Sequence, residues 1–197
     1  MLEKRETERV MLGRGARNES RLLLVCGALA SLLAACESGV GDPCVPEEEY
    51  LDTFSGFSAE EAVAETRSLQ CETRVCLVNH FQGRVSCPYG QTAQQTANGA
   101  RCVVPGGATP VREEVSPQLL ARRADDAVYC SCRCDGPDKS ARYCECPTGF
   151  NCEQVIPKLG IGKEQLAGSY CIREGTRYNR TSTNFGELCD PSKKNCE

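Results

Sequence analysis

The chain lacks several features on which enzymes and metalloproteins commonly rely. It has no tryptophan and one histidine among its 197 residues. It contains no Cys-x-x-Cys pair, the spacing that many zinc sites and thiol oxidoreductases use, and no Gly-x-Ser-x-Gly motif. A catalytic pair of a nucleophile and a histidine base would have to use His80. We therefore expect a protein that is not an enzyme and that holds no metal and no cofactor.

Large apolar side chains are also scarce. From Cys36 to the C-terminus, 28 of 162 residues are Leu, Ile, Val or Phe, a share of about 17%, and below roughly 20% a chain struggles to offset the entropy of ordering its backbone. The same stretch carries 17 basic and 23 acidic residues, which gives a net charge of −6. This balance argues against a nucleic acid partner, since binding to phosphates depends on basic patches.

The N-terminal segment has the three parts of a secretory signal. Arg14, Arg17 and Arg21 precede an apolar run at 22–33, and small residues follow at 34–35. The run is too short for a membrane-spanning helix, which needs roughly 20 apolar residues. We therefore predict a signal peptide over 1–35. Met11 is the preferred start, because the region from there is short and carries three arginines against one glutamate.

The end of this segment, Leu33-Ala34-Ala35-Cys36, resembles the lipobox of bacterial lipoproteins. The resemblance implies a diacylglyceryl group on the Cys36 thiol, cleavage before Cys36 and acylation of its new amino group with a fatty acid such as palmitate. Several acyl chains are needed because one holds a protein only marginally, at ~0.8 kcal/mol per buried CH2. The implied partner is therefore a membrane of the cell envelope. Glu37 rather than Asp follows the lipobox, which favours the outer over the inner membrane.

Cysteine counting is consistent with this expectation. The chain has 16 cysteines; cleavage removes Cys26 and lipidation uses Cys36. The fourteen that remain are disulfide candidates: Cys44, Cys71, Cys76, Cys87, Cys102, Cys130, Cys132, Cys134, Cys144, Cys146, Cys152, Cys171, Cys189 and Cys196. An even remainder permits seven disulfides, and this cysteine density is typical of scaffolds from oxidising compartments. The spacing leaves the connectivity open.

The expected fold is small, disulfide-rich and mainly β, with one or two short helices. Residues 36–49 are predicted to be a lipid-anchored tether that is rich in Gly, Pro and Glu, with Cys44 pinning its far end. Residues 50–197 are predicted to form the disulfide-rich domain, whose polar, irregular C-terminal tail is closed by Cys189 and Cys196.

Local patterns suggest individual elements. A capping box at Ser58 and Glu61 predicts a helix at about 59–69, and Ser116-Pro117 predicts another over 117–124. Residues 73–79 and 82–87 are interpreted as a hairpin, and 101–105 as a short strand.

The densest cysteine segment suggests a two-stranded ribbon. Alternation in 130–134 and 144–146 would place the half-cystines of each strand on one face, with a turn at 135–138. The stretch 144–152 resembles the C-terminal half of an EGF-like module through its Cys-x-Cys and Gly-Phe pairs, although Cys152 follows Phe150 too closely. Asp135 and Asp138 are interpreted as turn residues rather than calcium ligands.

Two classes of function stay open. The first is a cell-envelope lipoprotein that acts as a non-catalytic binding or structural module and engages another envelope protein or a glycan. Rigid, cystine-held loops suit this because they lose little entropy on binding. The alternative is an envelope enzyme, or an enzyme inhibitor, that acts through an exposed loop such as 106–117.

Overall fold

The computed structural model describes residues 39–157, 166–178 and 186–196. Its elements follow in chain order: a 3₁₀ turn at Glu47–Tyr50, β1 at Ala62–Glu65, β2 at Val75–Asn79, α1 at Ala93–Gly99, α2 at Ala124–Ala127, β3 at Val128–Ser131, β4 at Arg133–Asp135, β5 at Phe150–Ile156 and β6 at Gly168–Arg173. The mainly β, disulfide-rich fold with short helices is confirmed. Neither described helix is long and apolar enough to cross a membrane.

The strands form two small antiparallel sheets. The first has the order β1-β2-β3 and the second the order β4-β6-β5. Every residue of β2 and of β3 is buried, because β2 carries apolar residues on both faces. Val78 packs into one core with Phe57, Phe81 and Val128. Its neighbour Leu77 points the other way, into a second core that includes residues of the second sheet.

Seven disulfides join the fourteen candidate cysteines. The pairs are Cys44–Cys76, Cys71–Cys130, Cys87–Cys102, Cys132–Cys144, Cys134–Cys152, Cys146–Cys171 and Cys189–Cys196. Cys76 and Cys130 are register partners on adjacent strands, yet each bonds a cysteine in a loop outside the sheet. The covalent links therefore fasten irregular segments to strands that hydrogen bonds already hold together.

The predicted ribbon of half-cystines is wrong. Residues 130–134 do not form one strand, because β3 belongs to the first sheet and β4 to the second. Residues 144–146 are irregular, and the strand that pairs with β4 is β6. The alternation of cysteines is real, but the three cysteines bond three different partners, which lie 59, 12 and 18 residues away in the sequence.

The predicted helix at 59–69 is also wrong, although its capping pattern is present. Ser58 N–H donates to Glu61 Oε1 at 2.7 Å, and Glu61 N–H donates to Ser58 O at 3.1 Å. These bonds close a single turn, after which residues 62–65 pair with β2 as β1. The ladder with a fully buried strand outweighs the helical preference of so short a segment.

Other local expectations fail for similar reasons. Residues 73–79 and 82–87 do not form a hairpin, because β2 lies between β1 and β3. The helix expected at 117–124 is replaced by α2 at Ala124–Ala127. Residues 101–105 contribute one isolated bridge, between Val103 and Pro110, while α1, which a Thr92–Gln95 capping box starts, was not anticipated.

The boundary of the predicted tether needs correction. Gly41 N–H donates to Cys130 O at 2.8 Å, and Cys130 N–H donates to Asp42 O at 2.7 Å. The disulfide of Cys44 with Cys76 follows, and Glu49 is fully buried. From Gly39 onward the segment is therefore part of the domain, since backbone bonds to β3 replace the solvation expected for a tether.

A buried charged network fixes the next stretch. Arg84 and Glu49 are both inaccessible to solvent, with Arg84 Nε 3.9 Å from Glu49 Oε2. The guanidinium donates to the carbonyl oxygens of Glu49, Leu51 and Phe54. The Glu49 carboxylate accepts from Val85 N–H and from both the N–H and the hydroxyl of Ser86. Burial lowers the pKa of Arg84, and the nearby Glu49 charge opposes this shift.

The disulfide framework gives the first test. The exported, oxidised protein is expected to take up no alkylating reagent at residues 44–196, and to take up fourteen equivalents there after reduction in denaturant. Reduction should also unfold the domain, because one native disulfide in a small secreted domain contributes ~2–5 kcal/mol, and net stabilities are only ~5–15 kcal/mol. Mass spectrometry and amide exchange measure the two effects. Native-like exchange protection in the reduced protein would contradict the result.

The charged network gives the second test. Glu49→Gln should lower the free energy of unfolding by about 3 kcal/mol, because it leaves the buried Arg84 charge uncompensated and turns an amide toward N–H donors. Asp135→Asn is the control, since both side chains of its ion pair with Lys139, at 2.7 Å, are largely exposed and the pair should contribute far less to stability. Urea unfolding under oxidising conditions compares them. Equal losses in the two variants would refute the role of the network.

Candidate functional site

The first candidate surface is the loop 66–74, which lies beside the beginning of the described chain. A Cβ placed on Gly39 would lie 3.3 Å from Glu72 Cβ. The Gln70 side chain pairs with the backbone of Val45, donating to its carbonyl at 2.7 Å and accepting from its N–H at 3.1 Å. Cys71 is bonded to Cys130. The loop and the segment that begins at Gly39 are thus held together as one unit.

This loop presents one strongly exposed apolar side chain. Leu69 is 84% exposed, the highest value among the large hydrophobic residues described, while the preceding Ser68 is 3% exposed. The loop is closed by Ser68 N–H donating to Arg74 O at 3.2 Å and by Arg74 N–H donating to Cys71 O at 3.0 Å. With its neighbours on both sides fixed, Leu69 points away from the domain. Leu69 was expected at the end of the helix predicted over 59–69, so this exposed surface was not expected from the sequence.

The second candidate surface is the hairpin 102–111. Val104 N–H donates to Thr109 O, and Val111 N–H donates to Cys102 O, both at 2.9 Å. Residues 106–110 between these bonds are exposed, and the Cys87–Cys102 disulfide backs the base. This hairpin contains the first part of the loop expected at 106–117.

Gln91 holds the base of this hairpin and was not anticipated from the sequence. It is 3% exposed, and its side-chain nitrogen donates to Val111 O at 2.9 Å and to Glu113 O at 2.7 Å. Its side-chain oxygen accepts from Arg101 N–H and Cys102 N–H at 3.0 and 2.9 Å. One buried amide therefore bridges both sides of the loop. In the sequence, Gln91 is simply a polar residue between Gly90 and Thr92, the N-cap of α1, and nothing in this pattern indicates that its side chain is buried.

His80 lies in a structural cluster. Its Nδ1 is 3.1 Å from Ala59 O, and its ring stacks on that of Tyr178 with centroids 3.7 Å apart. Arg122 donates to the carbonyls of Asn79, His80 and Thr176, and burial lowers its pKa. The cluster ties the end of β2 to residues 176–178.

Two depressions lie on the surface of the described part of the chain, and His80 lines neither of them. One, of about 240 Å³, is lined by Asp135, Gly136, Pro137, Lys139, Gln154, Gly168 and Ser169. Another, of about 360 Å³, is lined by Tyr89, Pro117, Glu187, Leu188, Cys189, Asp190, Pro191 and Lys193. Both open broadly to solvent, so neither resembles the enclosed, mostly apolar pocket that is usual for a small-molecule site.

The turn carboxylates are committed to local hydrogen bonds. Asp135 accepts from Lys139 Nζ at 2.7 Å and from Gly136 N–H at 2.8 Å. Asp138 accepts from the hydroxyl and the N–H of Ser140 at 2.7 and 2.9 Å. The Lys139 and Ser140 bonds are the main reasons why the pKa values of these carboxyls lie below the usual range. Turn chemistry accounts for both side chains.

Sulfur atoms gather at three places in the described chain. Cys171 Sγ lies 3.7 Å from Cys132 Sγ and 3.8 Å from Cys144 Sγ, and two further groups of three cysteines have their sulfurs within 4.8 Å of one another. A metal would require thiolates, whereas each of these sulfurs is bonded to another in a disulfide. In the oxidised protein these are packing contacts between neighbouring disulfides.

Cys36, the predicted lipidation site, lies outside the described residues. Comparison with protein-family models, curated proteins and solved structures gives no significant match. A functional proposal for this protein therefore rests on the residues of this chain alone. Two surfaces stand out among its described residues: the loop 66–74 beside Gly39, and the hairpin 102–111.

Proposed function

We propose that the protein is a lipid-anchored, non-catalytic module of the bacterial cell envelope, attached through Cys36 and displayed on the outer membrane. The observation that carries this is the use of cysteine. All fourteen cysteines downstream of Cys36 are consumed in seven disulfides, so the folded domain offers Cys36 no partner. A cysteine that follows an apolar signal and has no partner in the fold fits the acceptor of a diacylglyceryl group.

The rigidity of the domain supports a binding or structural role. Its exposed loops are held by disulfides and by buried amides such as Gln91, so they lose little conformational entropy on binding. A module of this kind recognises an envelope protein or a glycan through preformed loops. The alternative of an enzyme gains no support from the described residues, in which His80 is used to hold β2 against residues 176–178.

The hairpin 102–111 favours a more specific version of this function. Its tip is exposed and its base is fixed by Gln91 and the Cys87–Cys102 disulfide. A projecting, preorganised loop is what an inhibitor or a protein-binding module inserts into a partner's groove. We propose this hairpin as the surface that engages an envelope protein.

Replacement of the anchor tests the main proposal. Cys36→Ala should abolish incorporation of labelled palmitate and block normal signal processing, because no thiol remains to receive the diacylglyceryl group. Cys26→Ala is the matched control, since that cysteine lies within the predicted signal peptide and should leave labelling unchanged. Incorporation is measured on the immunoprecipitated protein. Equal labelling of wild type and Cys36→Ala would show that the protein is not anchored at this residue.

A second substitution tests the hairpin. Thr109→Arg should abolish capture of a specific envelope protein by the intact lipoprotein, because the added side chain projects from the exposed tip. Thr148→Arg makes the same change in a different exposed turn and should preserve capture. Crosslinking in intact cells, followed by mass spectrometry, identifies the partner. Capture that survives Thr109→Arg would exclude the hairpin as the binding surface.

A further inference from the structure

We propose that the loop 66–74 is a second membrane contact, in which Leu69 inserts into the lipid surface that holds the acylated Cys36. This inference rests on the proposed lipid anchor. It assigns one face of the domain to the bilayer and gives the domain a fixed orientation. The hairpin 102–111 belongs to a different segment and is not part of this contact.

Chain length places the loop near the lipid. Three peptide links separate Cys36 from Gly39, and each advances the chain by at most ~3.8 Å, so their Cα atoms lie no more than ~11 Å apart. Gly39 is itself packed against Glu72, and the chain is held to β3 from Gly41 onward. The headgroup layer on one side of a bilayer is roughly 5–8 Å thick. A lipidated Cys36 thus brings the loop 66–74 to the headgroups.

The exposure of Leu69 is built into the fold. A single exposed leucine on a protein surface is ordinary and needs no explanation. Here, however, Ser68 on one side is buried and Gln70 on the other is paired with Val45, so both neighbours of the exposed side chain are held in place. The Cys71–Cys130 disulfide holds the loop to the first sheet. The domain therefore presents an 84% exposed leucine in the loop whose Glu72 packs against Gly39, three residues from the anchor.

The charges around Leu69 indicate an apolar contact. The loop exposes Arg67 and Arg74 against Glu72, a net charge of +1, and the Asp42 carboxylate lies nearby, 3.7 Å from the position of a Cβ on Gly39. The two signs nearly cancel, so attraction to anionic headgroups contributes little. We therefore expect the contact to withstand high salt, unlike contacts made by polybasic segments.

Because the acylated Cys36 already holds the protein on the membrane, a weak contact by Leu69 is enough to orient the domain. Leu69 by itself would not hold a protein on a membrane. Once Cys36 is acylated, insertion of Leu69 becomes an intramolecular step at an effective concentration set by only three residues of chain. The effect is on orientation rather than on whether the protein is bound, because the acyl chains already supply the affinity.

The absence of tryptophan from the chain permits a direct test. Full-length lipoprotein carrying Leu69→Trp is reconstituted into vesicles of phosphatidylethanolamine and phosphatidylglycerol, with and without brominated acyl chains. The emission of Trp at position 69 should shift to shorter wavelength and be strongly quenched by the brominated lipid, at low and at high salt. Val103→Trp, at a 39% exposed position on the hairpin, is the control and should be neither shifted nor quenched.

The outcomes separate the two proposals. Flotation and the mass of the N-terminal peptide are measured first on each variant. Protein that neither floats with vesicles nor carries the lipid on Cys36 would overturn the anchor. Protein that floats, with Trp at 69 unquenched or quenched no more than Trp at 103, would overturn the membrane contact and leave the anchor standing. Both positions are solvent-exposed, and amide exchange protection equal to that of the wild type checks that each variant has folded.

Discussion

The fold depends on covalent cross-links that substitute for a large apolar core. Seven disulfides close loops of 7 to 59 residues, and in the chain-entropy picture such closures each contribute roughly 2 to 4 kcal/mol, although overlapping loops do not add fully. The described apolar residues form three small clusters rather than one core. Half-cystines take part in two of these clusters, so the same side chains fill space and restrict the unfolded chain.

A second constraint arises from the small amount of regular structure. A buried loop must still satisfy its backbone N–H and C=O groups, and here polar side chains do much of this work. Arg84, Gln91 and Arg122 each donate to two or more backbone carbonyls of segments distant in the sequence. Gln70 imitates a strand partner for Val45. These residues are polar and yet central to packing, so a hydrophobic pattern cannot reveal them.

The same constraints shape what the protein can present to its surroundings. Because the segment from Gly39 is bonded to β3, an anchor at Cys36 would leave the domain little freedom to move away from the lipid. The loop 66–74 would then face the bilayer, while the hairpin 102–111 supplies a separate rigid surface. Display of a preformed loop from a close, oriented anchor is consistent with a binding role and does not require a catalytic pocket.

The sequence by itself determined the class of fold and the cysteines that build it. A chain with many cysteines and few large apolar residues has few ways to fold other than as a disulfide scaffold. The fourteen cysteines that form disulfides could therefore be predicted from the sequence, although their partners could not. The signal segment and the Cys36 lipobox are likewise local patterns that the sequence displays in full, and they remain predictions. The small loop closed by Cys189 and Cys196 was also foreseen, because those two cysteines are close in sequence.

Only the tertiary structure decided the pairing of the other cysteines and of the strands. Cys130, Cys132 and Cys134 alternate as one strand would, yet they bond partners 59, 12 and 18 residues away, since sheet membership changes between β3 and β4. The Glu61 side chain makes its capping bond to Ser58 N–H, yet residues 62–65 become a strand because buried β2 offers a better partner. Leu69 lies on the surface beside Gln70 and Cys71, which are held by Val45 and Cys130, residues distant in the sequence. Each outcome depends on long-range contacts that local periodicity does not record.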